Sequence, residues 1–478
     1  MPILFGVTPS QGDAGLRMCM LCRNLYSRAS GVTEEDGTEM LTCSIVRECE
    51  LDFATDDEIR GSVRRLAAMK GQVSSEEFKL REKAIGFTHK PRSILNDPSL
   101  DAILQPASAY CHDWMHAVLV NGVFNTIVYL LFEALSVAGF KQIWEFVGQY
   151  VSEWQWPGVV ASAKALAECF EHKRRKSSRK AKAFKASASD GLCLYPVMAL
   201  FVQRVLLKNG TASKCYPQCV AFLALCDVLD MLLAVPLGVV TPQMLSGATD
   251  TFLQACVTSK WSDYMHSKFH WLVHMGRHLE KFRALYTCFV HERKHKVAKR
   301  YGNHIQNTRN FEHSVLGEVL SHHLAELRSS ESLKIGECAL QTPKPAKPKL
   351  VSFLAETLGP EVDVNAGNTY CSIGARILPA GLCWRKDVVL VKSAERAGAM
   401  VAAEVWLHTS VDDVCMTLVN KLSPLAGPGE QRWDSSQHSP ILVATEDILA
   451  TCVHTALVAG NIRIVVPWRL RTWPVAGN

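Results

Sequence analysis

The stretch CFVHERKHKVAKRYGNHIQNTRNFEHSVL, residues 288–316, sets one carboxylate, Glu292, among lysines and arginines and then runs into a polar, asparagine-rich tail. If residues 285–301 are helical, Glu292 is flanked by His291, Arg293, Lys294, His295, Lys296, Lys299 and Arg300, an array suited to neutralising phosphates along one face. The plainer reading is a solvated cationic helix in which Glu292 pairs with Lys296 one turn on, worth about 0.2–0.5 kcal/mol. Taken alone, the stretch favours the plainer reading, so the choice falls to the rest of the chain.

With 478 residues, of which 48% are hydrophobic, the chain has room for two or three domains with real cores. A net charge of +6 is modest for that length, but its distribution is uneven. EHKRRKSSRKAKAFKASASD, residues 171–190, holds Lys173, Arg174, Arg175, Lys176, Arg179, Lys180, Lys182 and Lys185 with no acid between them. This reads as a solvated basic loop, suited to nuclear import with phosphate contact rather than base reading, since Phe184 alone offers a ring for stacking. Seventeen cysteines, scattered singly and often inside apolar runs, suit buried free thiols in a reducing compartment rather than a disulfide framework. The first residues, MPILFGVTPSQGDAGL, lack the basic region of a secretory signal. HAVLVNGVFNTIVYLLFEALSVAGF, residues 116–140, is the nearest approach to a membrane span, but Asn121, Asn125 and Glu133 interrupt it, so it reads as a buried core helix. The expectation is a soluble intracellular protein without membrane contact.

Helical spacing recurs from Asp56 to about Ser330. QTPKPAKPK, residues 341–349, reads as a linker by composition. Beyond it, β-branched runs such as DVVLVKS, MVAAEVWLHTS and NIRIVVPW alternate with turn residues and predict a small antiparallel barrel or sandwich.

Three motifs offer chemistry. Cys19 and Cys22 form a Cys-x-x-Cys pair, half of a tetrahedral zinc site, and its missing ligands have to come from far along the chain, with Cys43, Cys49, Cys111, His112 and His116 as candidates. Asp113 and His116 open an apolar helix; the first reads as its N-cap, and the pair also presents a carboxylate and an imidazole to a metal or a phosphate. His266, His270, His274 and His278 recur every four residues, which reads more readily as a polar helix face than as a metal site, because no carboxylate stands between them as in the metalloprotease pattern.

The order of these pieces carries more than any one of them. Cys-x-x-Cys, then Asp-x-Met-His with NGV after it, then HWLVH, then Glu-Arg-Lys-His, then Asn-x-Arg-Asn-x-Glu-x-Ser-Val together resemble the plant CACTA (En/Spm-like) transposases and their domesticated relatives. The resemblance covers roughly residues 10–320. It implies an RNase H-like catalytic domain with an Asp-Asp-Glu trio interrupted by a helical insertion, acting on DNA with Mg²⁺ or Mn²⁺. Glu292 matches the trio's glutamate, Asp113 with His116 its Asp-x-x-His signature, His270 and His274 the histidines of the preceding helix, and Asn307, Glu312 and Ser314 the polar tail. The departure lies upstream: the family's two aspartates precede the cysteine pair, whereas the eighteen residues before Cys19 hold a single acid, Asp13.

The resulting expectation is a mainly α protein with a small β domain, in four parts. Residues 1–55 would be a Cys-containing remnant of the RNase H-like core and 56–335 a mainly helical region with the basic loop at 171–190. Residues 336–350 would be a linker and 351–478 a small β-rich domain. Its expected function is that of a transposase-derived nuclear DNA-binding protein without catalysis. The alternatives are an active transposase or nuclease that recruits other acids, and a scaffold whose β domain binds a protein partner. Structural zinc at Cys19, Cys22 and His116, and DNA contact through Lys173, Arg174, Arg175, Lys176, Arg293, Lys294, Lys296, Lys299 and Arg300, complete the reading.

Overall fold

The computed structural model describes residues 16–26, 46–91, 93–160, 163–208, 210, 213–288, 298–305, 309–328, 337–377, 381–425, 431–457 and 460–471. They fall into two compact units: one of residues 1–143, 175–192 and 202–288, the other of 144–174, 193–201 and 289–478.

The first unit is helical. Its entry helix, Asp56–Met69, is started by a capping box in which the Thr55 hydroxyl and the Glu58 carboxylate each accept from the other's backbone N–H. It buries Ile59, Val63 and Leu66, one helical face, against Phe78, Phe87 and Leu95, and Met20 of the cysteine segment packs on the same cluster. The apolar run that begins at Trp114 divides into Trp114–Val118 and Val123–Val137. Asn121 adopts a left-handed conformation (φ 44°) at the break, and a Cβ on Gly122 would lie 2.4 Å from the Ala117 carbonyl oxygen, so only glycine fits there. Helix Val123–Val137 buries ten of its fifteen residues, Asn125 among them. Trp114–Val137, Ala188–Leu207 and Ser213–Leu237 are each long and apolar enough to cross a membrane by length and composition; within the protein 72%, 50% and 61% of their most apolar windows are buried.

The basic stretch expected as a loop is a helix, His172–Ala181. Lysine, arginine and alanine are good helix formers, and no glycine or proline interrupts them. Phe184, expected to be available for stacking, is completely buried, with its ring 6.4 Å from those of Phe124 and Phe132. Its backbone is fixed from both sides: Phe184 N–H donates to the Asn125 carbonyl (2.7 Å) and the Asn125 amide donates to the Phe184 carbonyl (2.7 Å). Phe184→Ala is therefore expected to destabilise this unit by about 3–5 kcal/mol, read by denaturant titration.

The second unit is built on a curled antiparallel sheet, a half-barrel, with a separate three-stranded sheet. Its spine is the hairpin of Met400–Val411 and Val414–Pro424, closed by a two-residue turn in which Asp412 and Asp413 both take positive φ (47° and 65°). Each spine strand changes neighbours along its length. Residues Met400 to Glu404 pair with Val388–Lys392, and His408 to Val411 with Thr369–Ser372; the register between the two spine strands shifts between Val405 and Leu407. Val388–Lys392 is apolar on both sides because both faces are covered: Val388 and Leu390 join one core, Val389 and Val391 the other.

Two boundaries differ from expectation. The β-rich unit reaches back to residues 144–174: Trp154–Gln155 pairs with the strand His454–Ala456, Thr455 Oγ1 donates to the Glu153 carbonyl (2.8 Å), and Gly158 N–H donates to the Asp387 carboxylate (2.8 Å). The expected linker is also part of the fold. Lys344–Pro345 is the outermost strand on Thr369–Ser372, where a proline costs no ladder bond, and Pro348 opens the helix Pro348–Leu358. Among the described residues before Trp114 no strand forms and β pairing is limited to isolated bridges such as Cys22 with Phe53, so an RNase H-like sheet is not seen there.

Candidate metal centre

Cys19 and Cys22 lie on a short segment held in place by main-chain bonds. Arg23 N–H donates to the Asp52 carbonyl (2.7 Å) and Ala54 N–H to the Leu21 carbonyl (2.8 Å). The Asn24 side chain closes the same strip, donating to the Glu50 carbonyl and accepting from Asp52 N–H. Both thiols are thereby turned into the protein, each with at most 2% of its surface exposed.

Facing them is helix Ser267–Val273. His266 does not belong to its histidine stripe, since it caps the helix start, Nδ1 accepting from Lys268 N–H (3.3 Å). His270 lies inside the helix and His274 at its end, where the chain turns before a second helix, Met275–Phe282. The expected polar face is in fact an interior one: His270, His274 and His278 are 2%, 0% and 3% exposed. A Cβ on Gly276 would fall 1.9 Å from Ser246 Oγ and 3.0 Å from the Pro242 carbonyl, so the turn after His274 is seated directly on helix Pro242–Thr258. Gly276→Ala is expected to destabilise by about 1–3 kcal/mol through overpacking, measurable as a lowered melting temperature.

Cys19, Cys22, His270 and His274 form a buried cluster that could hold a metal such as zinc, their four donor atoms all lying within 4.8 Å of one another. Tetrahedral zinc, with bonds of about 2.3 Å to sulfur and about 2.0–2.1 Å to nitrogen, sets sulfur–nitrogen edges of about 3.6 Å and a nitrogen–nitrogen edge of about 3.3 Å. Cys19 Sγ is 3.5 Å from His274 Nε2, and Cys22 Sγ is 3.4 Å from both His270 Nε2 and His274 Nε2. The two Nε2 atoms are 2.9 Å apart. A small outward movement of the rings matches these edges to the tetrahedron. The Nδ1 atoms of both rings are buried without a hydrogen-bond partner among the described residues, so packing rather than an outer carboxylate orients them. His112 stacks on His274 (5.3 Å, 22°) and on Trp271 (5.1 Å, 16°), while Phe53 tilts against His274 at 6.0 Å.

Without metal, the electrostatics favour the ligand protonation state at Cys19 and His270 but not at Cys22, whose thiol must lose its proton when a metal binds. Burial pushes the Cys19 thiol up, but its hydrogen bond with Cys22 and the nearby His270 and His274 bring it well below the ordinary value. Cys22 moves the other way, through that same hydrogen bond and its burial. Burial also lowers His270, keeping it neutral as a ligand must be.

Two further histidines close the cluster. His112 Nε2 lies 3.9 Å from Cys19 Sγ, and His112 N–H donates to His278 Nε2 (3.3 Å). Burial lowers His112 to about 4 and His278 to about 2. An unfolded histidine titrates near 6.5, so below that pH the unfolded chain binds protons that the folded one refuses, and stability is lost as the pH falls, by about 1.4 kcal/mol per unit for each group. His112→Phe is expected to reduce the slope of unfolding free energy against pH by about that amount between about pH 6.5 and pH 4, measured by denaturation across a pH series.

The other expected site residues are distributed as follows. His116, expected beside the cysteine pair, is not there: its Nδ1 contacts Asp113 Oδ2, and with Cys288 these two form a separate, half-buried group. Asp113 is the N-cap foreseen, accepting from Met115 N–H (2.9 Å). Cys49 and Cys111 belong to neither group. Lys173, Arg174 and Lys176 are exposed on the basic helix and Arg175 is half-buried; Lys299 and Arg300 are exposed on a helical turn at 298–304. Glu292, Arg293, Lys294, Lys296, Asn307, Asp13 and Cys43 lie outside the described residues. The imidazoles beside the cysteine pair are thus His270 and His274 and not His116. The available signal was complementarity, since two imidazoles at i and i+4 are the other half of a two-cysteine site. Compared with known proteins, the chain matches no family model, no curated protein and no solved structure.

Proposed function

We propose that this chain is a transposase-derived nuclear DNA-binding protein, stabilised by zinc at Cys19, Cys22, His270 and His274, that contacts phosphates through basic helices and carries out no strand transfer itself. The observation that carries the reading is convergence. Cys-x-x-Cys and HWLVH are two of the ordered motifs behind the transposase resemblance, and their ligand atoms meet in one buried cluster although Cys22 and His270 are 248 residues apart. Bound zinc would supply a four-point cross-link. The residues contribute two thiols on a stitched segment and two imidazoles on a helix seated against its neighbour. Exposed Lys173, Arg174, Lys176, Lys299 and Arg300 would position a DNA backbone without reading sequence.

Strand transfer would call for Mg²⁺ or Mn²⁺ held by several carboxylate oxygens, and Glu292, the carboxylate that the transposase resemblance assigns to that role, lies outside the described residues. The test is to incubate the purified protein and supercoiled DNA with Mg²⁺ or Mn²⁺. The expected result is bound, intact DNA; nicking or joining that Glu292→Gln abolishes would overturn the non-catalytic reading.

A further inference from the structure

The segment Cys111–His116 faces two places. His112 turns its ring toward Cys19, whereas Asp113 and His116, at the start of helix Trp114–Val118, meet Cys288 from 175 residues further along the chain. One donor atom from each of Asp113, His116 and Cys288 lies within 4.8 Å of the other two. The Asp113 carboxylate is fixed by its capping bond from Met115 N–H, by His116 Nδ1, and by Cys288 N–H at 3.3 Å. Main-chain bonding thus brings Cys288 to the carboxylate, so the convergence does not depend on a side-chain rotamer alone. In contrast to the enclosed centre at Cys19, all three residues are only half-buried.

We propose that Asp113, His116 and Cys288 bind one cation of the zinc or cobalt class, in a three-ligand site whose remaining coordination position is open to solvent. The donor set selects the class: a thiolate with an imidazole suits borderline transition ions, and a single carboxylate is a poor cage for Mg²⁺, Mn²⁺ or Ca²⁺. Three protein ligands with an open fourth position also leave room for water or an anionic oxygen on the metal, which the four-ligand centre does not. This site is independent of whether the buried centre is loaded.

The test titrates chelator-stripped full-length protein with Co²⁺, following thiolate-to-cobalt absorption, and separately measures Cys288 alkylation by iodoacetamide using peptide mass spectrometry. Wild type is expected to take up about two Co²⁺ per chain, and Cys288→Ser or His116→Ala about one. Co²⁺ should slow Cys288 alkylation about tenfold or more in wild type and in Cys22→Ser, but not in His116→Ala. Stoichiometry unchanged by Cys288→Ser, or Co²⁺ leaving Cys288 alkylation unaffected in wild type, overturns the proposal. Uptake of one Co²⁺ that is lost in Cys288→Ser and retained in Cys22→Ser upholds this site and contradicts the buried one. Should Cys22→Ser fail to fold, the alkylation comparison between wild type and His116→Ala decides alone.

Discussion

Replacing His274 with alanine is expected to release metal from the buried centre and to lower the melting temperature of the helical unit by about 10–20 °C. The size follows from what the cluster joins. His274 Nε2 reaches both cysteines, 3.5 Å from Cys19 Sγ and 3.4 Å from Cys22 Sγ. Structural zinc in small peptides contributes about 10–16 kcal/mol, and a larger unit that keeps its own apolar core should lose only part of that. A loss of about 5 kcal/mol, at about 2–4 °C per kcal/mol for a unit of this size, gives the stated range. A control is ready-made in the cap of the same helix, His266. His266→Ala removes the cap on Lys268 N–H and leaves the cluster's donors intact, so about 1 kcal/mol and full metal content are expected. Equal effects of the two substitutions would mean that His274 acts only by packing. Calorimetry with metal analysis on both variants separates the cases.

A variant with Lys173, Arg174, Lys176 and Lys180 all replaced by alanine is expected to lose most of the salt dependence of DNA binding while keeping its fold. These four residues are exposed on the basic helix, whose attachment comes instead from buried Ser178 and Phe184. Each phosphate neutralised adds about 0.9 to the slope of log affinity against log salt, so four contacts add about 3.6. Between 50 and 200 mM salt the wild type should therefore lose about a hundredfold more affinity than the variant. A slope unchanged by the four substitutions would place DNA contact elsewhere, and no binding by the wild type at low salt would favour the scaffold reading. Fluorescence anisotropy with duplex DNA across a salt series gives the slopes.

Much of the architecture was legible where local pattern and tertiary role agree. The change from helical spacing to β-branched runs separated by turns corresponds to a helical unit and an antiparallel sheet. Asp113 was legible as an N-cap because capping is settled within one turn of chain. Misreadings occurred where a residue's partner is remote. Phe184 looked like part of a solvated loop because its neighbours are all charged or small, and only the distant Phe124 and Phe132 show it to be an anchor. The prolines of 341–349 suggested a linker, yet an edge strand and a helix start are the two ordered positions that tolerate proline. Trp154–Gln155 pairs with a strand about three hundred residues away, which no local pattern announces. The cysteine pair and the histidine stripe were each visible as half a site. Their union was not, because His116 stood nearer in sequence and a face of four histidines reads as polar until its burial is known.

The account depends on zinc being bound by two sulfurs and two imidazole nitrogens deep in the helical unit. Zinc K-edge X-ray absorption on protein purified without added metal, using Cys288→Ser to remove any contribution from the second cluster, tests this most directly. The prediction is one zinc per chain with two sulfur neighbours at about 2.3 Å and two nitrogen neighbours at about 2.0–2.1 Å. A zinc-free protein of unchanged stability, or a first shell of oxygen and nitrogen without sulfur, would contradict it.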